Sequence, residues 1–358
     1  MKVTRILLTL LMCCLLLVGC NPRYERKVID DINIATGMGI DKSGDQLKGS
    51  IMIPVFKADK SMENFLFTAK GTIMRDVAAQ MQQKASQPIF SGSMDVALFE
   101  EVVAREGIVQ VLDVFLRDPS VGARVHLAVV DGKAQEIFEG NYGDRGNAQY
   151  LKDLIEHNME GGNLPLTNLH SFLFNFYQQG KDPYLPYLKQ ESPELVNITG
   201  IAIFKDEKVI DILHENKMFY FKLLVDKFSM GQVKVKEEHG EATVKSITSD
   251  TNMKLTKRKP YEITVQIKLK GLLTEHEGTR LEKNEVKDIE KELEKQINKT
   301  CLKLLEDFQK QKVDPIGVGH FVKTKTRNFN FEKWQTDYQD VTFKVSTNVR
   351  ILEVGVVE

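Results

Sequence analysis

Hydrophobic and polar residues follow two different periods along the first part of the chain. Ile32–Asp41 and Leu47–Phe56 are apolar runs that predict two strands, and Lys42–Asp45 between them has the composition of a turn. Phe65–Ala69 has the same character and predicts a third strand. We therefore expect this part of the chain to form a sheet.

Helical spacing follows these strands. Apolar residues four positions apart predict the first helix: Ile73, Val77, Met81 and Ala85. Thr72 stands where an N-cap residue would lie. A second helix is predicted over Ile108–Phe115, and Pro119 ends it because the residue before a proline disfavours helical backbone. Val125–Val130 then predicts a buried strand, and this alternation indicates layers of helices and strands.

Two more helices and a linker are predicted near the middle of the chain. Apolar residues at helical spacing surround Leu151 and Leu169. Asp182–Pro186 contains two prolines, which interrupt regular structure. We therefore expect a linker at about residues 180–196.

The second half of the chain has the clearest periodicity. Asn197–Phe204 and Lys208–Leu213 predict a hairpin, and Gln232–Leu273 is rich in strand patterns. Val286–Phe308 carries one apolar stripe at helical spacing, and apolar residues recur at every second position of Val341–Ile351. The predicted fold class is α+β, with mixed or antiparallel sheets packed with helices. In the C-terminal part we expect a long amphipathic helix over a sheet.

The N-terminus predicts export. Lys2 and Arg5 precede the apolar run Ile6–Val18, which is shorter than the roughly 20 residues that cross a bilayer and is typical of a signal peptide. Leu17–Cys20 resembles the bacterial lipobox, in which a small residue such as Gly19 fits the cleavage site and the cysteine thiol receives a diacylglyceryl group. The alternative is an ordinary secretory signal that ends by accident at a cysteine.

Composition sets the class of the protein. The chain has 358 residues, of which 42% are hydrophobic and 28% are charged, so it is globular and long enough for several domains. Its 49 basic and 50 acidic residues argue against a nucleic-acid partner. Four cysteines are too few for a disulfide scaffold, and two of them, Cys13 and Cys14, lie in the leader.

The residues that interrupt regular structure and the length of the chain together suggest that the chain is divided into five parts. We expect a lipoprotein signal peptide, a lipidated tether, an N-terminal α+β domain, a middle hairpin-helix segment or small domain, and a C-terminal α+β domain. Their predicted bounds are residues 1–19, 20–31, 32–190, 191–230 and 231–358.

Catalytic chemistry is not evident from the residues. No His-x-x-x-His pair, Gly-x-Ser-x-Gly elbow or Cys-x-x-Cys pair occurs, and we expect no cofactor and no metal. His126 and Cys301 lie in apolar patterns and are interpreted as core residues. The pair Glu100-Glu101 is interpreted as solvated surface. Phe219–Phe221 is interpreted as core.

One local charge cluster stands out. The run Lys254–Lys259 contains four basic residues among six. The first interpretation is an exposed turn between strands. The second is contact with anionic lipid headgroups, which attract basic residues near a membrane surface.

Several segments together carry a resemblance to a known family. They are Leu17–Cys20, Thr36–Asp41, Ala104–Gly107, Val114–Pro119, Ile198–Lys205 and Val313–Gly319, with Trp334 downstream. On these segments the chain resembles the C subunit of spore germinant receptors, the Ger(x)C lipoproteins of endospore-forming bacteria. Family members often have a Trp soon after the lipidated cysteine, whereas here Asn21–Tyr24 follows.

The resemblance implies a fold, a location and partners. It implies three successive α+β domains in an elongated body, exported and lipid-anchored to the outer face of the cytoplasmic membrane, which in spores is the inner membrane. It also implies assembly with an A subunit and a permease-like B subunit into a receptor for nutrient germinants. The family has no catalytic residues to transfer, so Cys20, the lipid attachment site, is the one chemical site that it implies.

The sequence leaves three hypotheses for the function. The first is a non-enzymatic receptor subunit required for germination. The second is a lipid-anchored solute-binding protein that captures a small-molecule germinant, which predicts a thermal shift that grows with ligand concentration. The third, a cell-wall enzyme, would need a convergent acid/base or metal site in a cleft.

Overall fold

The computed structural model describes Arg5 and residues 31–58, 62–227, 230–237, 240–276 and 283–354. Cys20 lies outside the described residues, as do the predicted signal peptide apart from Arg5 and the rest of the predicted tether apart from residue 31. Lipidation at Cys20 therefore stays a prediction from the sequence.

The larger sheet has eight strands in the order β10-β9-β8-β7-β6-β2-β3-β4. The bounds of its strands are β2 Gly37–Ser43, β3 Gln46–Phe56, β4 Met62–Gly71, β6 Val96–Glu100, β7 His126–Asp131, β8 Tyr184–Ser192, β9 Leu195–Lys205 and β10 Lys208–His214. The four central strands run parallel, and antiparallel pairs flank them on both sides. A short separate pair joins β1, Asn33–Ile34, to β5, Ile89–Phe90.

Helices cover both faces of this sheet, which explains its continuous apolar strands. The helices are α1 Met74–Lys84, α2 Glu101–Glu106, α3 Val109–Arg117, α4 Ala134–Phe138, α5 Asn147–Glu160, α6 Leu169–Tyr177 and α7 Glu215–Val225. In β6, Val96 and Leu98 join one core while Ala97 and Phe99 join the other. Parallel strands buried on both faces are apolar at every position rather than at alternate ones.

Two expectations for the first half were wrong. Thr72 does not cap α1, because the N-cap position is Ile73 and no side chain bonds there. The expected linker at about 180–196 contains β8, whose Leu185 and Leu188 are fully buried. Pro186 is tolerated because β7 pairs with β8 only from Tyr187 onward, so the missing N–H costs no bond to β7.

The smaller sheet has four strands in the order β11-β12-β13-β14. They are β11 Gly231–Glu237, β12 Gly240–Arg258, β13 Tyr261–His276 and β14 Thr342–Val354. The first three are antiparallel, whereas β13 and β14 run parallel, as expected for a mixed sheet.

The connection between β13 and β14 contains the predicted long helix. Its elements are α8 Lys283–Lys310, α9 Val318–Lys325, α10 Phe331–Asp337 and a 3₁₀ turn at Tyr338–Asp340. The apolar stripe of α8, which includes Leu293 and Ile297, is fully buried against the sheet and α7. The α+β class, with a long amphipathic helix on a C-terminal sheet, is confirmed.

One hydrophobic core joins the two sheets. It contains residues of the larger sheet, such as Val96 and Ile203, together with residues of the smaller sheet and α8, such as Ile267 and Leu293. The larger sheet itself crosses residue 190, where the sequence suggested a domain boundary, because β8, β9 and β10 are neighbours in it. The division into domains stays a prediction.

Candidate functional site

A surface groove lies where the β2–β3 turn meets α1, α2 and α3. Its volume is about 860 Å³, and the buried side chains of Val103 and Val111 form part of its lining. Charged residues of both signs surround it: Lys42, Asp45, Arg75, Glu106, Asp113, Arg117, Asp118 and Glu207. Two of the segments that carried the family resemblance, Ala104–Gly107 and Val114–Pro119, supply part of this lining.

Ion pairs already use several of these charges. Lys42 Nζ lies 2.6 Å from Glu106 Oε2, and Arg117 Nε donates to Asp113 Oδ2 at 2.6 Å. Arg75 is exposed, and within the described residues it has no carboxylate partner. The groove therefore offers one guanidinium to a ligand beside an apolar wall.

Asp41, at the end of the segment Thr36–Asp41, is a buried helix-capping residue. Its carboxylate accepts hydrogen bonds from Ala134 N at 2.7 Å and Gln135 N at 3.0 Å, at the start of α4. Burial raises the pKa of Asp41, while these two N–H donors oppose the rise. An anion is favoured at this position because the first N–H groups of a helix have no partner within it.

Glu100 lies beside Asp41 and corrects a prediction. It is only 7% exposed, although the sequence suggested a solvated surface residue. Its carboxylate accepts from Lys42 N at 2.6 Å and from Lys133 Nζ at 2.5 Å. The position at the end of buried strand β6 accounts for the burial, and the bond from Lys133 compensates its charge.

The segment Val313–Gly319 folds around a second buried carboxylate. Asp314 Oδ1 accepts from Gly317 N at 2.9 Å and Val318 N at 2.8 Å, and Oδ2 accepts from Gly319 N at 2.7 Å. Gly317, with φ of 80°, takes the left-handed conformation that this turn requires. Burial raises the pKa of Asp314 to about 7, and the three N–H donors oppose it.

Asp314 is joined to the larger sheet through Asp182. Asp182 Oδ2 accepts from Asp314 N at 2.6 Å, and Asp182 N donates to the carbonyl oxygen of Asp314 at 2.9 Å. Lys205 Nζ lies 3.2 Å from the Asp182 carboxylate. Burial raises the pKa of Asp182, and Lys205 opposes that rise. These contacts form a polar junction between the loop before β8 and the segment that leads to α9.

A third buried carboxylate lies next to two lysines. Asp226 follows α7, and its Oδ2 accepts from Leu166 N at 3.3 Å. Lys222, only 2% exposed, donates to two carbonyl oxygens, those of Met159 and Gly162, at 2.8 Å each. Burial raises the pKa of Asp226 to about 6, while Lys222 and Lys181 lower it. Burial also lowers the pKa of both lysines.

The remaining candidates from the sequence are core residues. His126 is 6% exposed, and its Nε2 lies 3.1 Å from Glu156 Oε1. Cys301 is buried with its Sγ 3.7 Å from the carbonyl oxygen of Tyr220, and burial raises its pKa. Phe219–Phe221 is buried, as predicted. Across residues 31–354, apart from the gaps given above, no cluster of three or more His, Cys, Asp or Glu side chains could hold a metal ion.

Sequence reasoning missed that Asp182, Asp226 and Asp314 are buried and accept hydrogen bonds from backbone N–H groups. A signal existed for Lys222, since a lysine within the apolar run Met218–Val225 must find partners when it is buried. None existed for Asp182, because its partner is 132 positions away in the chain.

Family models cover nearly the whole described chain. Residues 25–190 match the family described as Spore germination protein N-terminal domain, and residues 199–355 match Spore germination B3/GerAC like, C-terminal. The chain belongs to the Ger(x)C family of germinant receptor C subunits.

Individual relatives agree with this assignment. Spore germination protein GerQC of Bacillus cereus is 31% identical over 96% of both chains. Putative spore germination protein YfkR of Bacillus subtilis is 24% identical over 97% of this chain and 95% of its own. The crystal structure of the GerBC protein matches with a TM-score of 0.60 at 18% identity, covering 88% of this chain and 97% of that one. That likeness shows a shared fold.

The structure assigns physical roles to the segments that identify this Ger(x)C protein. Asp41 caps α4, and Asp314 caps α9 and meets the larger sheet through Asp182. These residues stabilise the fold. Among the described residues, no helix has both the length and the apolar character that a membrane crossing requires.

Proposed function

We propose that this protein is a non-enzymatic, lipid-anchored subunit of a nutrient germinant receptor in the spore inner membrane. In this proposal it is required for germination and assembles there with the A and B receptor subunits. The observation that carries the proposal is the 31% identity to a spore germination protein over 96% of the chain, together with the two family models.

The way the buried charges are used supports a binding role. The carboxylates of Asp41, Asp182 and Asp314 all accept backbone N–H groups, so their charge is used to hold loops and helix ends. A catalytic acid or base would instead face a cleft within reach of a substrate. These three acids serve the fold, which leaves the surfaces of the protein for its binding partners.

The expected anchor explains how such a subunit could act with modest intrinsic affinity. Two acyl chains on Cys20 would hold the body stably at the bilayer, where one chain is marginal. Confinement to the membrane raises the effective concentration toward membrane-embedded partners. Each contact with the A and B subunits could then be weak when measured in solution.

The test is Cys20→Ala in spores. We expect the chain that starts at an acylated Cys20 to disappear from mass spectra of the membrane fraction, membrane retention in high salt to fall, and the germination response to be impaired. Cys14→Ala, in the same leader, is the matched control and should leave all three unchanged. Normal retention together with a normal germinant response in Cys20→Ala would contradict the proposal.

The groove beside α1 and α3 favours a second candidate, direct capture of a small-molecule germinant. Its volume of about 860 Å³ lies within the range of small-molecule sites, and Arg75 could pair with a carboxylate. This candidate predicts that one of the common amino acids raises the Tm of the purified body in a saturable manner. Arg75→Ala should abolish that shift, whereas Arg124→Ala, at an exposed position outside the groove, should preserve it. The absence of any saturable shift in Tm would contradict direct capture, and the receptor-subunit proposal would then stand without it.

A further inference from the structure

Two basic segments far apart in the chain meet at one end of the smaller sheet. The first is Lys254–Lys259, at the end of β12 and in the turn that leads to β13. The second is Lys323–Arg327, at the end of α9 and just after it. Arg258 Nη2 donates a hydrogen bond to the carbonyl oxygen of Lys325 at 3.0 Å, which fixes the two segments side by side.

The surface that they form, here called the basic end, carries seven exposed cations. They are Lys254, Lys257, Arg258, Lys259, Lys323, Lys325 and Arg327. Among the described residues, none of the seven has a carboxylate within ion-pair distance. Two acids lie nearby. Glu262 stands opposite Lys257 in the β12–β13 pair and forms its ion pair with Lys344 at 3.0 Å, and Asp337 lies near Tyr261, as does Arg258.

Such a surface is unfavourable without a counter-charge. The whole chain has a formal net charge of only -1, so the concentration of cations at this end is local. Mutual repulsion among them is relieved by salt ions or by an anionic partner. A partner that presents many negative charges in one plane would gain contacts with both segments at once.

We propose that the basic end is a contact surface for an anionic phospholipid bilayer. The proposal rests on the membrane location given under Proposed function. The basic end presents charge but lacks the exposed aromatic side chains on which nucleic-acid bases stack, since none of the exposed large hydrophobic residues belongs to either segment. The contact is therefore electrostatic and peripheral, without insertion of side chains into the acyl region. With the body tethered through Cys20, this contact would orient it on the membrane.

The experiment uses vesicles and a chain that cannot be acylated. The body from Asn21 onward retains both sheets and both hydrophobic cores, and the solved relative spans the same fold. We expect it to co-sediment with vesicles of phosphatidylglycerol mixed with phosphatidylcholine at low salt, and to be released by high salt or by replacing them with pure phosphatidylcholine. Each basic residue near the surface contributes about fivefold in affinity. The triple variant Lys254→Glu, Lys257→Glu, Lys325→Glu should therefore bind at least about 100-fold more weakly.

A matched control separates the surface from net charge. Lys208→Glu, Lys299→Glu and Lys310→Glu change the same total charge at exposed positions elsewhere and should leave vesicle binding within about twofold of the native body. If the charge-reversal variant does not fold, the triple Lys→Gln variant and the salt titration of the native body provide the same comparison.

Three outcomes would overturn the proposal. They are equal vesicle binding by the native and triple-variant bodies, equal binding to anionic and neutral vesicles, and a stronger preference for a soluble polyanion such as single-stranded DNA than for the vesicles. Because this assay omits the lipid anchor, its result is independent of whether Cys20 is acylated or whether the protein serves a receptor. Failure of either proposal is therefore distinguishable from failure of the other.

Discussion

At the scale of single residues, the chain uses buried carboxylates to close loops onto helix ends. Asp41, Asp226 and Asp314 are buried, and each accepts at least one backbone N–H. An apolar residue at one of these positions would leave the buried backbone N–H without an acceptor, which would cost about 1 to 3 kcal/mol. The hydrogen bond from the N–H to the carboxylate avoids this cost. The cost of burial appears as raised carboxyl pKa values.

Asp226 gives a pH dependence with a definite sign. Burial raises its pKa from 3.8 to about 6, so the folded protein keeps a proton that the unfolded chain releases as the pH rises. This stabilisation is complete below the unfolded pKa and is lost between about pH 4 and about pH 6, by about 3 kcal/mol in total. Lys222 and Lys181 face the same carboxylate and oppose the shift.

We expect Asp226→Asn to remove this loss. The free energy of unfolding of the variant, measured by urea titration, should rise relative to the native protein as the pH increases through the window. Asp45→Asn, at an exposed turn position, is the control and should track the native protein. A constant difference between Asp226→Asn and the native protein at all pH values would show that the pKa of Asp226 is the same in the folded and unfolded protein, and would contradict the prediction.

At the scale of elements, burial on one face or on both faces decides how clearly the secondary structure of a segment can be predicted from the sequence. Helix α8 packs one stripe against the sheet and leaves its other side exposed, so its helical period is visible and its extent was predicted closely. Strand β14 was predicted for the same reason, because its apolar residues recur at every second position. Strand β8 is buried on both faces and contains Pro186, so its pattern was interpreted as a linker.

Close packing also sets the residue type at the junction. A side-chain carbon at Gly319 would lie 2.4 Å from Trp334 Nε1 and 3.0 Å from Gly180 Cα, which no ordinary contact allows. Trp334 in turn packs against Tyr261 and Tyr338, with ring centroids 5.4 and 5.7 Å apart. The segment before α9 is thus fixed both by the carboxylate of Asp314 and by the approach of an aromatic side chain.

At the scale of the whole molecule, the two sheets share a core and a polar junction. The core that contains Val96 of the larger sheet also contains Ile267 of the smaller one. Asp182 joins the same two parts by accepting from Asp314 N at 2.6 Å. We therefore expect the two sheets to unfold in one transition, although sequence arguments divided the chain into successive domains.

Asp182→Ala tests this coupling. The change leaves the buried N–H of Asp314 without a partner, and we expect it to lower the free energy of unfolding by about 1 to 3 kcal/mol. Far-ultraviolet circular dichroism reports both sheets, and fluorescence of Trp334, the single tryptophan, reports the C-terminal part. Both midpoints should fall together.

The control for Asp182→Ala is Asp288→Ala, which breaks an exposed pair with Lys291 at 3.3 Å. Such pairs contribute little, so the free energy of unfolding should change by less than about 0.5 kcal/mol. A fluorescence midpoint that stays in place while an earlier transition develops in circular dichroism would indicate sheets that unfold independently.

The α+β class, most of the helices and strands, and the family were predictable from the amino-acid pattern alone. In a segment that is buried on one face, the apolar residues recur with the period of the helix or strand. Segments such as Val313–Gly319 are specific enough to identify relatives. The predicted lipid attachment at Cys20 also comes from the sequence alone, because this residue lies outside the described part of the structure.

Contacts between residues distant in the chain became known only from the folded structure. It placed β8 inside the larger sheet, paired Asp182 with Asp314, buried Glu100 beside Lys133, and brought Arg258 next to Lys325. A local pattern indicates which side chains of a segment are exposed to water. It does not indicate which distant segment supplies a hydrogen-bond partner or packs against the other face. Those contacts form only when the whole chain packs.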